Sequence, residues 1–233
     1  MRVELFGDDI GAVEYISHMG SDLSVVNAAR VSFGRDNTKP LTKRDEKLIK
    51  YLIEHKHTSP FEHNSITFMF EVPMFVRSQH MRHRTWAYNE ISRRYTEVYL
   101  RFYEPDTFRT QHDSNRQASN VKDQQDPTIA PIFLDTYSKS SDAVAKWHDY
   151  SLDLFDKLIE AGVCREQARG VLPQNLYAKY YGTVNLSNLL KFIDLRMHEG
   201  AQWEIQKVAE ACLNIAEEIW PYSIGAYREL RRS

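Results

Sequence analysis

Seven arginines and no lysine fall between Arg77 and Arg109, at positions 77, 82, 84, 93, 94, 101 and 109. A solvated face needs only positive charge and usually mixes the two types. Arginine alone points to a use for the planar fork, which pairs bidentately with carboxylates and phosphates. The alternative is a rim of surface salt bridges, each contributing little. The densest part runs Gln79-His-Met-Arg82-His83-Arg84-Thr-Trp-Ala-Tyr-Asn89-Glu90-Ile-Ser92-Arg93-Arg94-Tyr95. Arg82 and Arg84 flank His83 where a helix should be ending. Two residues apart, they point about 160° away from each other on a regular helix but share a face on extended chain. They grip one multi-oxygen anion if the backbone has left the helix, or two different ligands if it has not. Asn89 adds an amide that donates and accepts, and Glu90 a carboxylate that accepts, a set suited to a heterocycle with adjacent N–H and C=O groups. Ser92 and Arg94, at i and i+2, would share one face of an extended segment and suit one phosphate.

Arg196 is singled out differently. Leu189, Phe192, Ile193 and Arg196 fall at i, i+3, i+4 and i+7, which places the guanidinium in the apolar stripe of a helix. An unpaired buried charge there would cost several kcal/mol. It either serves a ligand or pairs with a buried carboxylate such as Glu166 or Glu199. Ser92 has no Ser–His–Asp arrangement near it, and a serine without a base is a poor nucleophile, so it reads as a phosphate-binding residue. Cys164 and Cys212 sit in helical contexts as small packing residues. His55, His57, His63, His80 and His83 form no HExxH-like pattern, and no metal site is expected. His57 by itself is either a hydrogen-bonded loop residue or a ligand contact.

The elements that must position these residues can be read from periodicity. Arg2–Phe6 reads as a short strand and Asp22–Arg30 as a helix. Thr42-Lys-Arg-Asp45 is a capping box opening an amphipathic helix through about His55, with Leu48, Ile49, Leu52 and Ile53 inward. His57–His63 reads as a loop. Ser65–Val72 alternates as a strand with Ile66, Phe68, Phe70 and Val72 on one face. Pro73 suits the first turn of a helix running to about Arg84. Residues 105–131 form a long polar surface excursion, a candidate for disorder. A strong helix is expected from Pro131 to Ala161, carrying Phe133, Tyr137, Val144, Trp147, Leu154, Phe155 and Leu158, with Gly162 ending it. A short helix around Arg165–Gly170, a strand over Leu176–Val184, and helices over Asn188–Glu199 and Ala201–Trp220 complete the reading. Strands and helices mix without regular βαβ alternation, and no internal repeat or boundary interrupts residues 1–233. The expected class is therefore α+β, a single domain with a mostly antiparallel sheet flanked by helices.

Composition narrows the function classes. The chain has 233 residues, 42% of them hydrophobic and 27% charged, as in an ordinary globular protein. Mean hydropathy is −0.55, and no apolar run approaches the ~20 residues of a membrane span. The start, MRVELFGDDIGAVEY, has no signal-peptide pattern, and the two cysteines suggest no disulfide scaffold, so a cytoplasmic protein is expected. A net charge of −2 gives no bulk reason to expect nucleic acid. The competing class is a nucleic-acid module using the arginine-rich stretch with Trp86, Tyr88 and Tyr95. The acidic balance and long regular core argue against it.

The 82–92 segment carries the RHR-x7-S signature of flavin-dependent thymidylate synthases, and the longer RHRxxxxNExSxRY pattern fits at every fixed position. AARVSF (28–33), HTSPFEH (57–63), ARGVLPQNLY (168–177), VNLSNLLKFIDLR (184–196) and AQWEIQ (201–206) resemble blocks of that family in their usual order. The resemblance implies FAD contacts at Ser32, His57, Ser59, Glu62, Arg82, His83, Arg84, Asn89 and Glu90, and along Asn185, Leu186, Ser187 and Lys191. It implies nucleotide contacts at Gln79, His80, Met81, Arg82, Glu90, Ile91, Ser92, Arg93, Arg94, Arg169 and Arg196. The matching Arg196 would contact the uracil and favour its electron-rich form, making it the catalytic residue. The implied reaction takes dUMP to dTMP with methylene from 5,10-methylenetetrahydrofolate and hydride from NADPH-reduced FAD, in a homotetramer whose FAD sites are shared between subunits. Another pyrimidine substrate on the same fold is a third reading. Ser187 and Lys191 stand where relatives often have Arg and Asn facing the flavin nucleotide, and Gly200 where a His is common. Lys191 can replace some of that positive charge. No thiolate of the classical cysteine-dependent synthases is in evidence.

Overall fold

The alternating run at 65–72 becomes the centre of the molecule. The computed structural model describes residues 1–34, 40–98, 100–134 and 136–232. Five strands, β1 (Arg2–Glu4), β2 (Ala12–Met19), β3 (Ser65–Pro73), β4 (Ala87–Glu90) and β9 (Tyr177–Asn185), form one antiparallel sheet in the order β1-β2-β3-β9-β4. Ile66, Phe68, Phe70 and Val72 of β3 are buried, as their period of two requires. They enter a core shared with Leu189, Phe192 and Ile193 of α6 (Leu186–Arg196) and Ile205, Val208 and Cys212 of α7 (Trp203–Ile219). Full burial of each large apolar side chain contributes roughly 1.5–3 kcal/mol. Phe70 and Tyr180 lie opposite each other and stack at 5.1 Å. Gly182 must be glycine, because a Cβ there would come within 2.8 Å of the Phe70 ring.

Around the sheet lie α1 (Asp22–Arg30), α2 (Lys43–Glu54), α3 (Met74–His80), α4 (Ser140–Glu160), α5 (Arg165–Ala168) and α8 (Pro221–Arg232). The capping box at Thr42 and Asp45 forms: the Thr42 N–H donates to Asp45 Oδ2 at 2.8 Å. α8 was not legible locally. Its first turn is capped from far along the chain, the Tyr222 and Ser223 N–H groups donating to the buried Asp22 carboxylate at 3.1 and 2.9 Å.

Several expectations need correction. β2 is an unforeseen strand: its outer half is solvent-facing and a bulge between Tyr15 and Ser17 breaks the period of two. β4 is likewise unforeseen, an edge strand that among the described residues pairs with β9 alone. The 105–131 excursion is not irregular. It contains a hairpin, β5 (Phe108–Gln111) with β6 (Ser119–Gln125), and β7 (Thr128–Ile129), which pairs with β8 (Ser138–Lys139). Helix α4 begins at Ser140 rather than Pro131, because Asp126 caps it there: the Ser141 N–H and hydroxyl both donate to its carboxylate at 2.9 Å. Asp135, inside the expected helix, lies outside the described residues. In α4, Ala143, His148, Ser151 and Phe155 are buried, whereas Trp147 and Leu154 are exposed with Tyr150.

Candidate active site

Helix α3 was expected to reach Arg84 and instead ends at His80. The reason is tertiary. The Tyr88 hydroxyl reaches the carbonyls of both His80, at 2.9 Å, and His83, at 3.2 Å, taking up acceptors that the next helical turn would have used. Met81 and Arg82 form a turn, so Arg82 and Arg84 sit on non-helical backbone, both exposed. That removes the helical geometry which would have turned them apart. Beside them, Arg196 Nε donates to His83 Nε2 at 2.9 Å and Arg196 Nη2 to the Gln79 carbonyl at 3.1 Å. Among the described residues no carboxylate forms an ion pair with Arg196, so neither Glu166 nor Glu199 takes that part. Accepting at Nε2 requires a neutral ring protonated at Nδ1. Burial, and then the Arg196 charge, hold the His83 pKa down at about 4, and burial lowers that of Arg196. Two of the five guanidinium N–H groups are thus used in anchoring, and three remain for a ligand.

The remaining predicted nucleotide residues gather elsewhere. Glu90, Ile91, Ser92, Arg93, Arg94 and Arg169 line a cleft of about 770 Å³, with Arg77, Glu166 and Tyr177 among its other walls. That volume suits a small ligand. Gln79, His80, Met81, Arg82 and Arg196 do not line it. The segment after Ile91 is a turn, which corrects the extended geometry expected for Ser92 and Arg94. The Arg94 N–H donates to Ser92 Oγ at 3.3 Å, leaving the hydroxyl proton available. Arg93 is committed otherwise, donating to the carbonyls of Val98 and, at 3.0 Å, Tyr177. Arg77, which sequence reasoning left unassigned within the arginine run, donates to Glu90 Oε2 through Nε at 2.8 Å and so fixes that carboxylate. His80 is fully buried, ringed by Phe70, Trp86 and Phe192, with Nδ1 2.9 Å from the Tyr180 hydroxyl. The whole residue is enclosed, its carbonyl already accepting from the Tyr88 hydroxyl and the His83 N–H, so neither its ring nor its backbone offers a ligand a surface.

The predicted flavin residues spread over several surfaces. His57, Ser187 and Lys191 line a second cavity, of about 490 Å³, with apolar walls from Leu52, Ile53, Phe61 and Leu190 and cations Lys56 and Arg231. Ser187 Oγ is buried there with no hydrogen-bond partner among the described residues. Glu54 and Asp194 also line it, and Asp194 lies 3.7 Å from Arg231, so the rim carries both signs; the orphaned hydroxyl, the apolar wall and Lys191 and Lys56 suit a ring-bearing ligand with a polar end. Asn185 caps α6, its side-chain oxygen accepting from the Asn188 N–H at 2.8 Å. Leu186 is buried, and its N–H donates to the Asn64 carbonyl. Ser59 and Glu62 are exposed on the 3₁₀ turn Ser59–His63. Ser32 is exposed on another such turn between Val31 and Phe33, both largely solvent-facing. Asn89 lies on the exposed edge strand β4, apart from the 490 Å³ cavity. Among the described residues no cluster of three or more His, Cys, Asp or Glu side chains could hold a metal, and no helix is long and apolar enough to cross a membrane.

Residues 14–222 match the family model described as thymidylate synthase complementing protein. The flavin-dependent thymidylate synthase of Thermosipho africanus is 39% identical over 94% of this chain and 91% of its own length. That of Thermus thermophilus is 40% identical over 95% of this chain and 77% of its own. In structure, the chain resembles the UMP/dUMP methylase PolB from Streptomyces cacaoi bound with 5-Br dUMP. The TM-score is 0.76 and the identity 33%, and 97% of each chain is covered. Matched over most of its length and alike in sequence almost from end to end, this chain belongs to the flavin-dependent thymidylate synthase family.

Proposed function

We propose that this chain is a cytoplasmic enzyme that methylates dUMP to dTMP, taking carbon from 5,10-methylenetetrahydrofolate and reducing equivalents from NADPH through bound FAD. The observation that carries the reading is the guanidinium of Arg196, anchored at two N–H groups by a neutral histidine and a carbonyl, with three left over. Set against a pyrimidine ring, that fixed cation favours the electron-rich form of the ring, whose C5 supplies the electron pair that bonds to the methylene carbon. Because His83 is neutral, it adds no second positive charge and serves to orient Arg196. Glu90, held by Arg77, supplies a fixed acceptor, while Ser92, Arg94 and Arg169 supply donors for a phosphate.

FAD, when bound, supplies the hydride chemistry. His57, Ser187 and Lys191 are the residues we assign to holding it, on the strength of the orphaned hydroxyl and the apolar wall of their shared cavity. Residues 1–233 act as one domain in a homotetramer with FAD sites shared between subunits. Two observations favour that assembly. The predicted nucleotide residues fall into two groups within one chain, and the α4 face bearing Trp147, Tyr150 and Leu154 is exposed and apolar.

The test is tritium release from 5-labelled dUMP by the yellow, flavin-loaded protein, with NADPH and methylenetetrahydrofolate supplied. Release without dTMP, or a colourless protein with salt-sensitive DNA binding, would overturn the reading. UMP belongs in the same assay because the PolB relative is named a UMP/dUMP methylase.

A further inference from the structure

A chain of side chains leads away from the Arg196 site to the hairpin. Gln79 Nε2 donates to Gln202 Oε1 at 2.5 Å, and Gln202 Nε2 donates to Glu204 Oε2 at 2.9 Å. Glu204, the second residue of α7, is only 3% exposed. Its other oxygen accepts from Arg109 Nη2 at 2.6 Å and from the Tyr103 hydroxyl at 3.3 Å. Arg109 sits on β5, donates across the hairpin to Ser119 Oγ at 2.9 Å, and lies 5.1 Å over the Trp203 ring. The same Gln79 residue accepts from Arg196 through its carbonyl.

We propose that Glu204 is a positioning residue that sets which end of the Gln79 amide faces the nucleotide, and that Arg109 of the hairpin holds Glu204 in place for that task. The logic is one of donor polarity. A carboxylate paired with arginine only accepts, so the Gln202 NH₂ must turn toward it. That leaves the Gln202 oxygen toward Gln79 and draws the Gln79 NH₂ to it. Gln79 Oε1 is the atom left over, and among the described residues no donor reaches it. Gln79 is partly exposed, and in this proposal its Oε1 is the acceptor offered to a donor of the nucleotide, the ring N3–H or the 3′ hydroxyl. Without Glu204, both amides could rotate by half a turn and offer the NH₂ instead. The polar excursion at 105–131 thereby acquires a task, since its Arg109 supplies the cation beside the buried carboxylate.

The proposal rests on the reading that Gln79 faces dUMP, and a double-mutant cycle tests it. Replacing Glu204 itself leaves Arg109 unpaired and risks the fold, so Gln202→Met is the primary variant, because it keeps the Arg109–Glu204 pair. FAD-loaded wild type, Gln202→Met, Gln79→Met and the double variant are titrated with dUMP by flavin absorbance, and kcat and KM are taken from tritium release. Gln202→Met should weaken dUMP roughly 2- to 12-fold, the worth of one neutral hydrogen bond, with KM rising more than kcat falls. The double variant should bind within about twofold of Gln79→Met, because both substitutions break one relay. Titration with 3-methyl-dUMP and with 3′-deoxy-dUMP identifies the donor: the analogue lacking it no longer responds to Gln202→Met. Additive losses in the cycle, or both analogues responding as dUMP does, overturn the relay. A wild type that shows no dUMP response at all would instead overturn the proposed function.

Discussion

Replacing Arg196 by lysine keeps the charge and removes the fork. In the structure Arg196 is held at two points, Nε on His83 Nε2 at 2.9 Å and Nη2 on the Gln79 carbonyl at 3.1 Å. A lysine nitrogen on a flexible stem cannot satisfy both and still present further donors in the plane that the guanidinium defines. At least one charge-assisted hydrogen bond is lost, worth about 1.5–3 kcal/mol. If that interaction strengthens as negative charge develops on the pyrimidine, the whole of it appears in the barrier. The expected fall in kcat/KM is then roughly 10- to 150-fold. Flavin content should change little, because Arg196 is not among the residues lining the 490 Å³ cavity. The measurement is tritium release from 5-labelled dUMP, with bound flavin read from absorbance and folding from circular dichroism. Arg196→Lys within about threefold of wild type would refute the ring-activation role. A loss of turnover that merely tracked loss of flavin would refute the assignment of Arg196 to the nucleotide.

Three further outcomes are expected. Arg94→Ala should weaken dUMP by about 1.5–3 kcal/mol and deoxyuridine far less, since the nucleoside has no phosphate to lose, while Ser92→Ala should raise the dUMP requirement and leave turnover measurable. Equal weakening of both ligands by Arg94→Ala, or abolished tritium release by Ser92→Ala at saturating dUMP, would contradict the phosphate assignment. Cys164→Ser combined with Cys212→Ala should keep forming dTMP, because burial pushes the Cys212 thiol well up and away from thiolate, and Cys164 is an exposed surface thiol; a folded, flavin-loaded but inactive double variant would reopen a cysteine mechanism. The third outcome is acid sensitivity. His83 ordinarily titrates near 6.5 and is held at about 4, so below 6.5 the unfolded chain takes up a proton that the folded chain refuses. Its stability contribution is complete above pH 6.5 and is lost as pH falls toward 4; the full shift corresponds to about 3 kcal/mol, and screening at this half-buried site reduces that to about 1–2 kcal/mol. Urea unfolding of wild type and His83→Gln between pH 7 and 4.5 measures it, and parallel pH slopes for the two proteins would contradict the assignment.

The sequence by itself determined what local periodicity and local capping control. The alternation of Ile66, Phe68, Phe70 and Val72 specified the central strand, because side chains of a strand alternate faces whatever its partners are. The Thr42–Asp45 box started α2, and the i, i+3, i+4, i+7 spacing put Arg196 in the stripe with Leu189, Phe192 and Ile193. The 82–95 motif also carries the family's signature in local sequence alone, since a pattern of that length rarely arises by chance. What only the tertiary structure decided are features whose cause lies far along the chain. α3 stops at His80 because the Tyr88 hydroxyl occupies its last carbonyl, α8 starts at Pro221 because Asp22 caps it, and α4 waits until Ser140 for Asp126. β2 and β4 are strands because β3 and β9 offer them hydrogen bonds, which their own patterns do not announce. The partner of Arg196 belongs in the same class. Periodicity could place the guanidinium on a buried face, but whether a carboxylate or the neutral His83 would meet it depended on where the chain between them turned. Hydrogen-bond partners are chosen by proximity in space, and a sequence read locally holds that information only within about a helical turn of each residue.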